Sequence, residues 1–151
     1  MKVRTTRSVL ALAAVFLLAF AGTPAVAAAQ TWQLEQFTRT SRMCVQQGDR
    51  NHGSYFIYIV TGTWSTDLKV GMLGLPPGWT ATEYSLPPGE NHKDPDGSVM
   101  VNGFIGVQGP ASVELGTYYA YIWVTDGVVL EKLPTDIIVT TDDWVTCMNK
   151  S

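Results

Sequence analysis

An all-β, antiparallel sandwich of about eight or nine strands is the fold this chain predicts, and three observations carry that prediction. Behind an apolar leader, strand-like runs of about six to ten residues alternate with short stretches of Gly, Pro, Asn and Asp. No window of a dozen residues beyond the leader keeps a helical period. Two cysteines, Cys44 and Cys147, stand near the two ends of the remaining chain, where one bond between them would close the domain.

The leader is residues 1–29. Lys2, Arg4 and Arg7 give a basic start, Val9 to Phe20 is an uncharged apolar run, and Ala25 to Ala29 is rich in small residues. That three-part order predicts a cleaved secretory signal and hence a secreted, extracellular product. The strongly apolar part spans 12 residues, short of the roughly 20 that a membrane helix needs. Cleavage leaves residues 30–151 as one domain, the number such a length supports.

Without the leader the chain keeps seven Lys and Arg against thirteen Asp and Glu, a net charge of −6. The basic residues are scattered from Arg39 to Lys150 and make no patch, which argues against nucleic acid as a partner. In an oxidising compartment Cys44 and Cys147 are expected to pair. A free cysteine nucleophile served by His52 or His92 is the weaker reading there, and the spacing does not suit a zinc site.

The strands follow in order. Thr31–Arg39 alternates, Arg42–Gln46 is a short extended stretch, and residues 47–54 form a polar turn. Ser54–Thr61, rich in aromatic and β-branched residues on both faces, reads as an inner strand. Asp67–Leu73 and Trp79–Ser85 come next, joined by Leu75-Pro76-Pro77-Gly78. The tetrapeptide recurs at Leu86 to Gly89, and its Pro-Gly pair suits the centre of a type II turn. Residues 89–97 are the most polar stretch and predict a protruding loop. Val99–Val107 is a strand in which Gly103 and Gly106 mark a bulge or a close approach. Gly116–Thr125 is the clearest strand; Asp126-Gly127 predicts a two-residue hairpin turn into Val128–Leu130. Thr135–Thr141 and Trp144–Met148 complete the set.

From Leu75 onward the order of motifs resembles the immunoglobulin-like domains that accompany bacterial glycoside hydrolases and other secreted proteins. Leu75-Pro76-Pro77-Gly78-Trp79 is similar to their corner and Pro88-Gly89-Glu90 to their turn. Gly109-Pro110-Ala111, Gly116-Thr117-Tyr118 and Val124-Thr125-Asp126-Gly127 are similar to the approach, body and end of their long strand. The resemblance covers about residues 74–127 and implies an immunoglobulin-like sandwich; its motifs are turn chemistry and speak to fold more than to function. The cysteine pair, the charged insert after Glu90 and the lack of an attached catalytic domain depart from it.

One surface stands out. If Tyr118, Ala120, Ile122 and Val124 face the core, Tyr119, Tyr121 and Trp123 form a row about 13 Å long on the other face. Such a row stacks on sugar rings or anchors a protein. Covering by a neighbouring segment is the favoured alternative, because bare aromatic patches are uncommon on monomers. Asn91, Asp94 and Asp96 lack the spacing and the distal acid of a calcium loop, and Asp142-Asp143 reads as a polar corner. Asp49, His52 and Ser54 crowd one turn, whereas a triad is assembled from separate elements. Glu83, Glu90, Glu114 and Glu131 carry no sequence sign of pairing as glycosidase acids. The expectation is a secreted, non-catalytic domain without cofactor or metal that binds an extracellular carbohydrate or protein. The alternative is a small protease inhibitor presenting Leu86–Gly97, or a structural envelope protein.

Overall fold

The computed structural model describes residues 30–48, 50–88, 92–93 and 99–150. The predicted signal peptide lies outside the described residues. Among the described residues ten strands form two sheets packed face to face, and one short helix packs on β2. They are β1 (Trp32–Leu34), β2 (Ser41–Gln46), β3 (Asn51–Gly62), β4 (Leu68–Leu73), β5 (Thr80–Ala81), β6 (Tyr84–Leu86), β7 (His92–Lys93), β8 (Val99–Pro110), β9 (Gly116–Thr125), β10 (Leu130–Thr140) and α1 (Trp144–Asn149).

The first sheet runs β1-β3-β8-β5, with β7 also paired to β8; the second runs β2-β10-β9-β4-β6. With β1 taken as strand A, the pairings reproduce the A-B-E-D and C-F-G sheets of an immunoglobulin-like sandwich. A further mark of that fold lies at the start of β9, where the Tyr118 hydroxyl donates to the Glu114 carbonyl at 2.9 Å, the tyrosine corner. The disulfide does not follow the family habit of joining the sheets. It ties β2, on the margin of the second sheet, to α1.

Alternation along the strands builds the core. Phe56, Tyr58 and Val60 of β3 face Ala120, Ile122 and Val124 of β9 and Leu68, Val70 and Met72 of β4, all buried in one cluster. Full burial of such side chains contributes about 1.5 to 3 kcal/mol each. In the corner after β4, Gly78 takes φ +76° and the Trp79 amide donates to the Pro76 carbonyl, the turn that Pro77-Gly78 predicts. Gly103 is a close approach and not a bulge: it stands opposite Tyr58, whose ring lies where a Cβ would be, and the β3–β8 register runs unbroken.

Several expectations need correction. The sandwich is not wholly antiparallel, since β2 pairs with β10 in parallel, Ser41 opposite Thr135 through Gln46 opposite Thr140. The first strand crosses between sheets: β1 lies on β3, the chain leaves after Glu35, and β2 joins the last strand, so Thr31–Arg39 contains only three strand residues. Trp144–Met148 is helical. The Asp143 side chain caps α1 by accepting from the Thr146 amide at 2.8 Å, and this cap prevails over the strand preference of Val145 and Thr146.

Trp79–Ser85 splits into β5 and β6, which pair in different sheets. β3 begins at Asn51, inside the predicted polar turn. Leu130 and Thr135–Thr140 belong to one strand, β10, while Val128 and Val129 stay in the connection before it. Pro134 lies one residue before the pairing with β2 begins, so its missing N–H removes no bond between them. The connection before β10 spans Asp126 to Val129 rather than two residues. Asp126 Oδ1 accepts from the amides of Val128 and Val129, and the Thr125 hydroxyl donates to the Val129 carbonyl.

Candidate functional site

The alternation of β9 places Ala120, Ile122 and Val124 in the core and turns Tyr119, Tyr121 and Trp123 outward. Tyr119 is 72 % exposed and Tyr121 39 %, while Trp123 is half-buried. The favoured expectation that a segment covers the row therefore fails for the two tyrosines. Antiparallel register fixes the neighbours: Leu73 and Gly71 of β4 stand beside Tyr121 and Trp123. Asp136, Pro134 and Lys132 of β10 stand beside Tyr119, Tyr121 and Trp123.

Trp123 is half-buried because of its own partner strand. A Cβ on Gly71 would sit 2.6 Å from Trp123 Cζ2 and 2.8 Å from Cε2, so the indole lies across the backbone of β4 where any side chain would stand. A ring laid down in this way is held by the sheet. Among the described residues the Tyr119 and Tyr121 hydroxyls and Trp123 Nε1 have no protein hydrogen-bond partner. The face thus combines three aromatic bodies with three free polar tips.

At one margin of this face α1 packs on β2. Met43 and Val45 point into the core, so Cys44 between them points outward, where Cys147 meets it with a Cα–Cα distance of 6.1 Å. The pairing is as expected. Asp142 forms an ion pair with Lys150, and its carboxyl is held below the usual range, first by the hydrogen bond from that lysine. Asp143 is held low by the capped Thr146 amide. The polar corner is thus a helix cap.

A second aromatic surface, on the first sheet, was not legible in the sequence. Tyr55 and Ile57 of β3 and Phe104 of β8 face outward, 57 %, 43 % and 59 % exposed. Tyr55 and Phe104 meet edge to face with ring centroids 5.0 Å apart. Alternation of Ser54–Thr61 shows two apolar faces, but only the β3–β8 register brings Phe104 beside Ile57 and Tyr55. Next to this surface a groove of about 890 Å³ opens between β3 and the crossing segment, lined by Phe37, Arg39, Ser41, Arg42, Tyr55 and Met148 among others.

The other candidates do not assemble into chemistry. His52 and Ser54 lie two residues apart on β3, and Asp49 lies outside the described residues. His52 stacks on Trp79, centroids 5.8 Å apart, with Nε2 buried and unpartnered, and burial lowers its pKa. Glu131 accepts hydrogen bonds from the Gln30 side chain and the Leu34 amide, fastening β1 and the residues before it to β10. Glu114 serves the tyrosine corner through its carbonyl, and Glu83 lies between β5 and β6; Glu90 is outside the described residues. Among the described residues no group of three or more His, Cys, Asp or Glu is placed to hold a metal ion. Asn91, Asp94 and Asp96, and much of the Leu86–Gly97 segment, lie outside the described residues.

The fold and its outward faces define a small, disulfide-closed immunoglobulin-like β-sandwich. Residues 33–141 match the model of DUF5980, a family of unknown function, and the chain belongs to that family. No curated protein shows significant sequence similarity to it. Among solved structures it is similar to the ASH/PapD-like domain of human CEP192 (PapD-like domain 7), at 8 % identity and a TM-score of 0.34, over 75 % of this chain and 87 % of that one.

Proposed function

We propose that the protein is a secreted, non-catalytic binding module that holds extracellular carbohydrate on the outward face of its second sheet. The observation that carries the reading is the row Tyr119, Tyr121 and Trp123, uncovered over its tyrosines and with its indole laid across Gly71. Sugar rings present an apolar face and a rim of hydroxyls. Aromatic rings supply stacking area at low entropic cost, and the free hydroxyls and indole N–H supply hydrogen bonds. The face is open, which suits a polymer chain lying along it better than a small molecule enclosed by it. The Cys44–Cys147 bond supports the extracellular half of the proposal, since such bonds persist in oxidising compartments.

The test is co-sedimentation of residues 30–151 with a panel of insoluble polysaccharides, comparing the parent with Trp123→Ala and Tyr121→Ala. Retention on at least one polymer, weakened about tenfold or more by either change with folding preserved, is the expected result; a loss of that size marks an anchor. Retention on none, or retention indifferent to both changes, sinks the carbohydrate reading. A protein ligand on the same face would then be sought by pull-down with the same two variants.

A further inference from the structure

β3 is paired unequally on its two sides. Along β8 it is matched from Asn51 to Thr61, whereas β1 matches only Val60 to Gly62 before the chain leaves the sheet. The bonds at that end fix the direction of every backbone group farther along. The Glu35 amide donates to the Ile59 carbonyl and the Thr63 amide to the Thr31 carbonyl, so the odd-numbered residues of β3 present N–H and C=O toward the β1 side. At the other end the Ala111 amide donates to the Arg50 carbonyl, which assigns the even-numbered residues to β8. Among the described residues Gly53, Tyr55 and Ile57 therefore offer an unpaired edge about 14 Å long, in line with β1 where β1 has ended.

Open edges are usually guarded by lysine, proline, a bulge or a covering segment. Gly53–Ser54-Tyr55-Phe56-Ile57 contains neither lysine nor proline, and its register with β8 has no bulge. The groove beside it lies between the Tyr55–Ile57 part of this edge and the crossing segment. Its charge is opposite to that of the molecule. Among the described residues Arg39 and Arg42 line it against one acid, Asp136, although residues 30–151 carry thirteen acids to seven basic residues. Arg42 is occupied by the carbonyls of Met148 and Lys150, which leaves Arg39, exposed and without a partner among the described residues.

We infer that the edge Gly53–Ile57 is a strand acceptor that takes an extended, acidic segment of a partner protein, adding it to the first sheet in line with β1. Main-chain bonds to Gly53, Tyr55 and Ile57 supply affinity; alternate side chains of the guest rest against Phe37 and Met148 on one side and Tyr55 and Ile57 on the other. An acid in the guest meets Arg39. A second copy of this chain is the poorer occupant, because two such edges meeting would set Arg39-lined walls of like charge together. None of Tyr119, Tyr121 and Trp123 lines the groove, although Asp136, which stands beside Tyr119, does.

The test uses residues 30–151 and a synthetic probe peptide alternating Val and Thr with two Asp at one end, against the same peptide with Lys in place of Asp. Without peptide, the amides of Tyr55 and Ile57 should exchange with solvent faster than those of Phe56 and Tyr58; the Asp peptide should slow the fast pair and leave the others unchanged. Arg39→Glu, on an exposed side chain, should weaken binding of the Asp peptide about three- to tenfold and strengthen that of the Lys peptide. Ile57→Pro should abolish binding by deleting an edge donor that β8 does not use. If that variant misfolds, the exchange pattern and Arg39→Glu decide alone. Equal exchange of all four amides, protection at other sites, or binding indifferent to Arg39→Glu overturns the inference, as does a concentration-dependent dimer that protects the edge without peptide.

Discussion

The two sheets both turn aromatic side chains outward, but they assemble them differently. On the second sheet three rings come from one strand at alternate positions, one ring is braced over Gly71, and the margin is tied down by the disulfide and α1. On the first sheet Tyr55 and Phe104 come from two strands and lie next to a free edge. The contrast teaches that a sheet face is prepared as much by what lies under and beside its rings as by the rings themselves. The second sheet has a braced, fenced face; the first has an open margin.

The largest way to break the contrast is to untie the fence. Reduction, or Cys44→Ala with Cys147→Ala, releases a link between residues 103 apart in sequence, with a ceiling of about 4 to 5 kcal/mol in the chain-entropy model. Denaturant midpoints measured with and without reductant should show the loss. Thiols that titrate in unreduced, unfolded protein would contradict it.

A finer test compares the glycines that lie under rings. Gly103→Ala places a Cβ 2.2 Å from Tyr58 Cζ inside the sandwich, where the buried ring has nowhere to move, and should cost about 1 to 3 kcal/mol. Gly71→Ala presses on Trp123, which borders solvent and can swing away; the stability change should stay below about 1 kcal/mol. It should nevertheless weaken any polysaccharide retention, because the brace under the indole is gone. Equal destabilisation by the two changes would show that Trp123 is as fixed as Tyr58.

The smallest effect is expected from protons, and it falls on the first sheet. Burial lowers the pKa of His52 in the folded state, so between the unfolded value of about 6.5 and the lower folded value the unfolded chain binds more protons. Stability is therefore complete above that window and declines as pH falls through it. The melting temperature should drop modestly from pH 7.5 to 5.5, and His52→Gln should flatten that slope. An unchanged slope in the variant would assign the decline to other groups. Asp126, Asp142 and Asp143, all with lowered pKa values, act in the same direction only at lower pH, where carboxylates protonate.

How much of this was readable in the sequence depends on whether the signal was local. The outward direction of Tyr119, Tyr121 and Trp123 is a period-two pattern within one strand, and the Pro77-Gly78 turn is local backbone chemistry; both were legible. The Phe104–Tyr55 pair and the brace at Gly71 depend on register between distant strands, which a lone sequence does not specify. The parallel β2 is a choice of partner made after the crossing at Glu35 to Thr40, and no residue there announces it. α1 was missed because Val145 and Thr146 favour strands, while the cap that decides the matter rests on Asp143, read only as a polar corner.

The position of the disulfide also determines how the domain carries tension. A pull on the two ends passes from the first strands into Cys44, across the sulfur bridge to Cys147 and out through the last residues. The chain between the cysteines, with β3 to β10 and most of the core, is bridged by the sulfur bond and cannot be drawn out while that bond holds. β1, the crossing and the start of β2 lie in the stressed path, together with the end of α1. The short β1 ladder to Val60–Gly62, the Trp32 indole bond to Asp126 and the Glu131 contacts are therefore the parts that would yield first. Peeling β1 from β3 would lengthen the molecule by a small, fixed amount while leaving the sandwich folded. Under strain the protein is a tether with a short extensible arm and an inextensible body.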